Sequence, residues 1–381
     1  MQKNKKLLIT IAAIIIIYFV LPKHVQMGLV HNFADVDDYK LFDKHDIKKS
    51  TTPIQWQLSE NYNKFKPSGE LQQFFDDRKT CAFLVIKDGK ILYENYLQDY
   101  DKETISGSFS MAKTINALLI GKLIEQGKIA SINDDVKKYV PELTQIPDGK
   151  LTIKDAIMMS AQLDWSESYW NIFSLTAESY YGNDLDKLMS KLTLRGKNEQ
   201  GKIWEYQSSN TQILGYIIKN VTKKSLAENA NQYLWQPLGA ESDALWSVDK
   251  NGIEKSFCCV NATARDFAKL GQMVLQHGKF NNQQLFDSAW IARMTSPDTE
   301  LKTEDGRTVD WYGYQMWMIN YKGHQIPYFR GILGQFIFVI PDENAVVVRL
   351  GKKIERENVD RHEQNDDIKK YVETGLQVLG K

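Results

Sequence analysis

The distribution of apolar positions divides the chain into four zones. "LLITIAAIIIIYFVL" gives fifteen uncharged residues from Leu7 to Leu21, directly after the lysine-bearing "MQKNKK". Residues 24–70 are polar, with "DVDD" and "DKHDIKKS", and show no sustained period, which predicts a tether and lead-in. "CAFLVIKDGKILYENY" (81–96) then reads as two strands around Asp88-Gly89, because Asp-Gly supplies the positive φ angles that a tight hairpin turn needs. In "SFSMAKTINALLIGKLIEQGKI" (108–129), Ile115, Leu118, Leu119, Leu123 and Ile124 recur at helical spacing.

From about 130 to 275 the pattern is mostly helical, in segments such as "TIKDAIMMSA", "TQILGYIIKNV" and "TARDFAKLGQMVLQ". It then returns to strands: "YGYQMWMINY", "GQFIFVIP" and "AVVVRLG", the last two joined by a turn at "PDEN". The amphipathic "DDIKKYVETGLQVLG" closes the chain, and no internal repeat is present. Two early and three late strands predict an α+β fold, a five-stranded antiparallel sheet flanked by helices with an inserted all-helical lobe. A cleft between sheet and lobe is the expected ligand site. The organisation expected is therefore an N-terminal segment at 1–23, a tether at 24–70 and one domain at 71–381.

Composition narrows the function classes. Lys+Arg and Asp+Glu both total 48, so no basic surplus points to nucleic acid. Three cysteines without CxxC spacing provide neither a zinc site nor a disulfide framework. The adjacent Cys258 and Cys259 read as small buried hydrophobes, since neighbours do not bridge easily. The histidines at 24, 31, 45, 277, 324 and 362 form no HExxH or HxH pair, so neither a metal nor a cofactor is expected. The N-terminal apolar run is short for a span of roughly 17–25 residues and long for a core helix. An anchor and a cleaved signal both fit a charged start followed by an apolar run. "PKHVQMGLVHNF" has no small-x-small cleavage pattern, which favours an uncleaved anchor. Either way the lysines stay inside and the domain is expected outside the cytoplasm, on the periplasmic or cell-surface side.

Candidate chemistry begins at Ser110 and Lys113. Three apart on a helix, the two side chains share a face. A hydroxyl needs a base before it attacks, and a lysine serves only if desolvation lowers its pKa. A helix start adds N–H groups suited to an oxyanion. The competing reading is an N-cap serine beside a lysine snorkelling to water. Tyr206, ahead of Ser208, Ser209 and Asn210, is either a proton relay or a packed ring behind a cap. Gly331 and Gly334 in "FRGILGQFIFVIP" either let a backbone N–H approach a substrate or form a bulge.

Ser110-Met-Ala-Lys113, Tyr206-Gln-Ser208 and Arg330-Gly331-Ile332-Leu333-Gly334-Gln335 resemble, in order and spacing, the motifs of the penicillin-recognising serine hydrolases. "YQSSNTQILGYII", "YLWQPLGAESDALWSVDKNG" and "NATARDFAKLGQMVLQHG" are similar to the 6-aminohexanoate-dimer hydrolase-like branch, across roughly residues 75–370. The resemblance implies that Ser110 is the acyl-forming nucleophile, Lys113 its base and Tyr206 the proton shuttle. The N–H groups of Ser110 and Ile332 would hold the oxyanion, with Gly331, Ser208 and Arg330 beside the substrate. It also implies that the aromatic stretch 163–182, with Tyr169 and Trp170, covers the cleft, although core packing explains such rings equally well.

There are two departures. Position 208 is Ser where the β-lactamases have Tyr-x-Asn, and Phe329-Arg330-Gly331 replaces Lys-Thr-Gly, leaving Arg330 as the partial substitute for a carboxylate-binding lysine. His324, nearby in sequence, is a site residue or part of a surface turn. The expected function is an exported serine hydrolase cleaving a small-molecule amide or ester through an acyl-enzyme. A DD-peptidase or weak β-lactamase, and a silent ligand-binding or sensing module, are the rivals.

Overall fold

Seven strands, numbered β1–β7, form the main sheet of the computed structural model, which describes residues 2–196, 199–355 and 366–381. They are β1 (Gln57–Leu58), β2 (Thr80–Lys87), β3 (Lys90–Tyr96), β4 (Trp317–Tyr321), β5 (His324–Gly331), β6 (Gln335–Ile340) and β7 (Ala345–Gly351). Their order is β4-β5-β6-β7-β2-β3-β1. Every pairing is antiparallel except that of β1 with β3. The expected hairpin is present, with positive φ at both Asp88 and Gly89, and the "PDEN" turn joins β6 to β7.

The sheet is thus larger than the expected five strands and is mixed. β1 is a two-residue edge. β5 escapes notice because it starts with polar residues and contains Pro327, which argues against a strand interior. Pro327 is opposite Met318 of β4, whereas the β6 register begins at Tyr328. The missing proline N–H therefore removes nothing from the β6 ladder.

Helices cover both faces of this sheet, which is why β2 and β7 read as unbroken apolar runs. Ala264–Leu275 packs on one face, where a Cβ at Gly271 would meet Ile337 and Val346 at 2.6 Å. Gly69–Asp77 and Asp366–Val378 cover the other through Phe75, Phe83 and Tyr371, whose rings lie 5.3–6.3 Å apart.

The expected all-helical lobe at 130–275 needs two corrections. Ala264–Leu275 belongs to the sheet's own layer. Within the same span, Ala244–Val248 and Val260–Thr263 form a second sheet with Asp43–Ile47 and Ile105–Gly107. Strands of three to five residues are too short to show a period. The Met111–Glu125 helix lies against Ser208–Thr222, between this part and the main sheet.

The 24–70 segment is largely folded onto the body. Lys23–His31 is a helix packed on Leu175–Tyr181, with Val25 and Gly28 buried. A Cβ at Gly28 would meet Ile172 at 2.7 Å. The preceding helix, Gln2–Val20, exposes its large apolar side chains. Among the described residues no single helix is long and apolar enough to cross a membrane, although this helix and Lys23–His31 would qualify as a pair, bent by 120°. Cys258 and Cys259 also depart from expectation: they form a disulfide, with Cys259 at φ 75° in the left-handed region. Cys81 is buried and free, and His362 lies outside the described residues.

Arg349 of β7 is fully buried. Its guanidinium donates to the carbonyls of Leu333 (2.6 Å) and Gly334 (2.7 Å), and to those of Arg78 (2.6 Å) and Lys353 (2.9 Å). It also stacks 4.8 Å from the Tyr371 ring. This clamp fixes the β5–β6 connection. Arg349→Met strands those carbonyls, and each unsatisfied buried group costs about 1–3 kcal/mol. A loss of about 3 kcal/mol or more is expected, read as a lower urea midpoint with an unchanged slope.

Candidate active site

Ser110 sits where a short strand turns into a helix. Ile105–Gly107 ends in the small sheet, Ser108 N–H donates to Val260 O at 2.7 Å, and Phe109 takes φ 43°. A non-glycine residue in this region costs of order 1 kcal/mol or more and persists only when its surroundings enforce it. Ser110 then precedes Met111–Glu125 without capping it through its side chain. The hydroxyl instead meets Lys113 Nζ at 3.0 Å. The N-cap reading of Ser110 therefore fails, and so does the snorkelling reading of Lys113, which is only 2% exposed.

Lys113 Nζ has three oxygen neighbours: Ser110 Oγ, Ser208 Oγ at 3.2 Å and the Phe257 carbonyl at 2.8 Å. Burial lowers its pKa to about 8, against the opposing pull of Glu167. The Tyr206 ring centroid lies 5.1 Å from the same nitrogen. Tyr206 is buried and packs on Trp317 at 5.4 Å.

Glu167 is the site residue that the sequence reading missed. It accepts from Ser208 Oγ (2.6 Å), Ser208 N (2.8 Å), Trp165 Nε1 (2.8 Å) and Tyr169 Oη (2.7 Å). A carboxylate is favoured there, because Ser208 opens the Ser208–Thr222 helix at its positive end. Gln207 secures the loop by donating to the carbonyls of Leu163 (2.9 Å) and Trp165 (2.8 Å). The only sequence signal was a lone carboxylate among the aromatics of "DWSESYW". Burial and Glu167 keep the Tyr169 phenol well above its usual pKa, so it serves as a donor.

Hydrogen counting gives this network a direction. The single proton of Ser208 goes to Glu167, so Ser208 Oγ can only accept from Lys113. The Phe257 carbonyl also only accepts. A neutral Lys113 amine has two hydrogens, both spent on these oxygens. Its lone pair is left facing the Ser110 hydroxyl, the geometry of a base beside a nucleophile.

The remaining candidates divide. Ser110, Ser208, Tyr169 and Ile332 line one cleft together with Phe109, Ile172 and Phe257. A Cβ at Gly331 would overlap the Ser108 carbonyl, so only glycine lets β5 run this close to the nucleophile segment. Trp170 is exposed and packs against Phe33, with ring centroids 4.0 Å apart and planes tilted by 39°. Arg330 is buried against the Trp317 ring at 4.6 Å and is absent from the cleft lining. His324 is at the far end of β5 from the site, 3.2 Å from Asp342. Asn32, Phe33 and Ala34, from the segment expected to be a tether, also line the cleft. No group of histidine, cysteine, aspartate or glutamate suited to hold a metal occurs among the described residues.

A beta-lactamase family model matches residues 71–370. The chain belongs to the beta-lactamase family, and it is a serine hydrolase of that family. It is 28% identical over 296 residues to the 6-aminohexanoate-dimer hydrolase of Paenarthrobacter ureafaciens, covering 74% of each chain. Its fold matches that of a Bacillus anthracis protein described as a candidate 6-aminohexanoate-dimer hydrolase, with TM-score 0.75, 23% identity and 91% of both chains covered. A family VIII carboxylesterase has the same fold, with TM-score 0.64, 16% identity, 85% of this chain covered and 99% of that one.

The electrostatics predict a pH profile. Labelling of Ser110 by a fluorophosphonate needs the neutral amine, so its rate should rise with pH through a midpoint near the Lys113 value of about 8. Glu167 holds that value up, so Glu167→Gln should move the midpoint to lower pH. An unmoved midpoint would mean that the rising limb belongs to another group.

Proposed function

We propose that this protein cleaves a small-molecule amide or ester through an acyl-enzyme on Ser110, with Lys113 as the base. The observation that carries the reading is the three-oxygen setting of the Lys113 amine, which leaves its lone pair on the nucleophile's proton. Ser110 Oγ attacks the carbonyl carbon as its proton passes to Lys113. The oxygen that becomes negative is held by the N–H groups of Ser110 and Ile332, where fixed dipoles act without reorganising. Tyr206, against the Lys113 amine, relays the proton to the departing alcohol or amine. Water then attacks the acyl-enzyme by the same route in reverse, and Ser110 recovers its proton.

The substrate class follows from what the cleft holds. Lys-Thr-Gly is absent, and Arg330 stacks on Trp317, which leaves a β-lactam carboxylate without an obvious partner. Proteins similar to this chain are named a 6-aminohexanoate-dimer hydrolase and, by fold, a family VIII carboxylesterase. Short esters and linear amides are accordingly the substrates, ahead of β-lactams or peptidoglycan stems. The enzyme acts outside the cytoplasm, held at the membrane by its apolar N-terminal segment, with Lys3, Lys5 and Lys6 on the inner side. Digestion of the domain by protease added to intact cells checks that placement, and protection would refute it.

p-Nitrophenyl acetate turnover should vanish in Ser110→Ala. Lys113→Arg keeps the charge but cannot deprotonate, so acylation should fall by several orders of magnitude while the fold persists. The double variant should be little worse than either single one, since the two residues act as a unit. Retention of more than about a tenth of the activity in Lys113→Arg, or nitrocefin turnover equal to ester turnover, would overturn the reading.

A further inference from the structure

The cleft is apolar, and the N-terminal segment that contributes to it exposes apolar side chains of its own. Among the described residues no charged side chain lines the cleft. Part of the lining, Phe33 and its neighbours, comes from the segment that follows Lys23–His31. That helix buries Val25 and Gly28 against the body and turns Leu29 and Val30 outward, with Val30 61% exposed. On either side of the cleft-lining Ile172, Trp170 is 61% and Phe173 68% exposed. Trp170 packs on Phe33 and Gly28 abuts Ile172, so these elements are in direct contact. Leu21 and Pro22 join this roof to the Gln2–Val20 helix, whose exposed side chains are almost all apolar beyond Lys6.

Large exposed apolar side chains gathered at one mouth mark an interaction surface. Water, a second protein and a lipid surface would meet this one differently. The Gln2–Val20 helix carries Lys3, Lys5 and Lys6 at one end and then an uncharged run, the charge pattern that suits a bilayer boundary with anionic headgroups. Tryptophan beside the mouth fits the same boundary, where one side of the ring is apolar and the other wet. A substrate with ionic ends would leave them unpaired in this cleft, which costs several kcal/mol.

We propose that the cleft opens onto a lipid surface and that its substrate is an uncharged acyl ester or amide drawn from that surface. Leu29, Val30, Trp170 and Phe173 sit in the headgroup–acyl boundary beside the Gln2–Val20 helix. The inference rests on the acyl-transfer reading above and names the substrate class for the same site. The acyl chain enters past Phe33 and Ile172 and presents its carbonyl to Ser110. The alcohol or amine leaves with the relayed proton and returns to the lipid or water phase.

The test uses the full-length protein in vesicles of phosphatidylcholine with a minority of phosphatidylglycerol. A nitrobenzoxadiazole label on Phe173→Cys should be quenched by lipids with a nitroxide near the headgroup. The same label on Lys322→Cys should not be. Lys322 precedes β5 at the end opposite Ile332, roughly 25 Å away at 3.3 Å per residue. Val30→Asp with Phe173→Asp should lower turnover of vesicle-borne p-nitrophenyl decanoate by about tenfold or more. Turnover of soluble p-nitrophenyl acetate should stay within about twofold, since neither residue lines the cleft. Absence of quenching at position 173, or unchanged decanoate turnover in the double variant, overturns the lipid inference. So does a dimer whose interface buries position 173. Loss of acetate turnover in the unmodified protein would instead overturn the acyl-transfer reading.

Discussion

A lysine amine removed from water can stay charged only while several oxygens surround it, and Lys113 has three. Much of the structure around it serves that arrangement. The Phe257 carbonyl comes from the turn before the small sheet's Val260–Thr263 strand. Ser208 comes from the start of the helix that packs on the lysine's own helix. Ser110 is supplied by the strained turn at Phe109. Three separate parts of the chain thus meet at one nitrogen. Burial and the Glu167 charge oppose each other in setting its protonation, and burial prevails.

The second constraint is the placement of the backbone facing the nucleophile. Gly331 lets β5 pass against the Ser108 carbonyl, and Ile332 follows at the cleft wall. Immediately beyond, Arg349 grips the carbonyls of Leu333 and Gly334 from inside the core. A buried guanidinium without a carboxylate is costly unless its hydrogens are spent, and here backbone oxygens take those of both terminal nitrogens. The arrangement ties the β5–β6 connection to the core of the sheet it belongs to. An oxyanion site needs such rigidity, because donors that must reorganise lose their advantage.

The cleft's polarity has the same origin as its position. One wall is the aromatic loop held by Gln207 and Glu167, and the other is built from Phe109, Ser110 and Ile332. The roof belongs to the N-terminal segment, which is anchored through Val25, Gly28 and the Asp43–Ile47 strand. Charged groups concentrate behind Ser110, at Lys113 and Glu167, while the space in front of it is apolar. The setting of Ser110 is therefore electrostatic on one side and hydrophobic on the other.

Local pattern alone identified the Asp88-Gly89 hairpin, the Met111–Glu125 helix, the strands around "PDEN" and the C-terminal helix. Each depends on neighbours in sequence: a turn's φ angles, a helical period, an unbroken apolar run. Motif order also brought forward Ser110, Lys113, Tyr206, Ser208 and Ile332, all of which the fold gathers around one cleft or the amine behind it. Tertiary structure decided the rest. Pro327 is tolerated in β5 only because the β6 ladder starts one residue later. Cys258 and Cys259 bond through a left-handed backbone that sequence did not suggest. Arg330 lies against the Trp317 ring and outside the cleft lining. Glu167 matters through contacts with residues up to 41 positions away, and residues 32–34 matter because the helix before them docks on Leu175–Tyr181. Sequence periodicity records which side of a segment is apolar. It does not record which distant segment will cover that side, and in this protein that covering shapes the cleft.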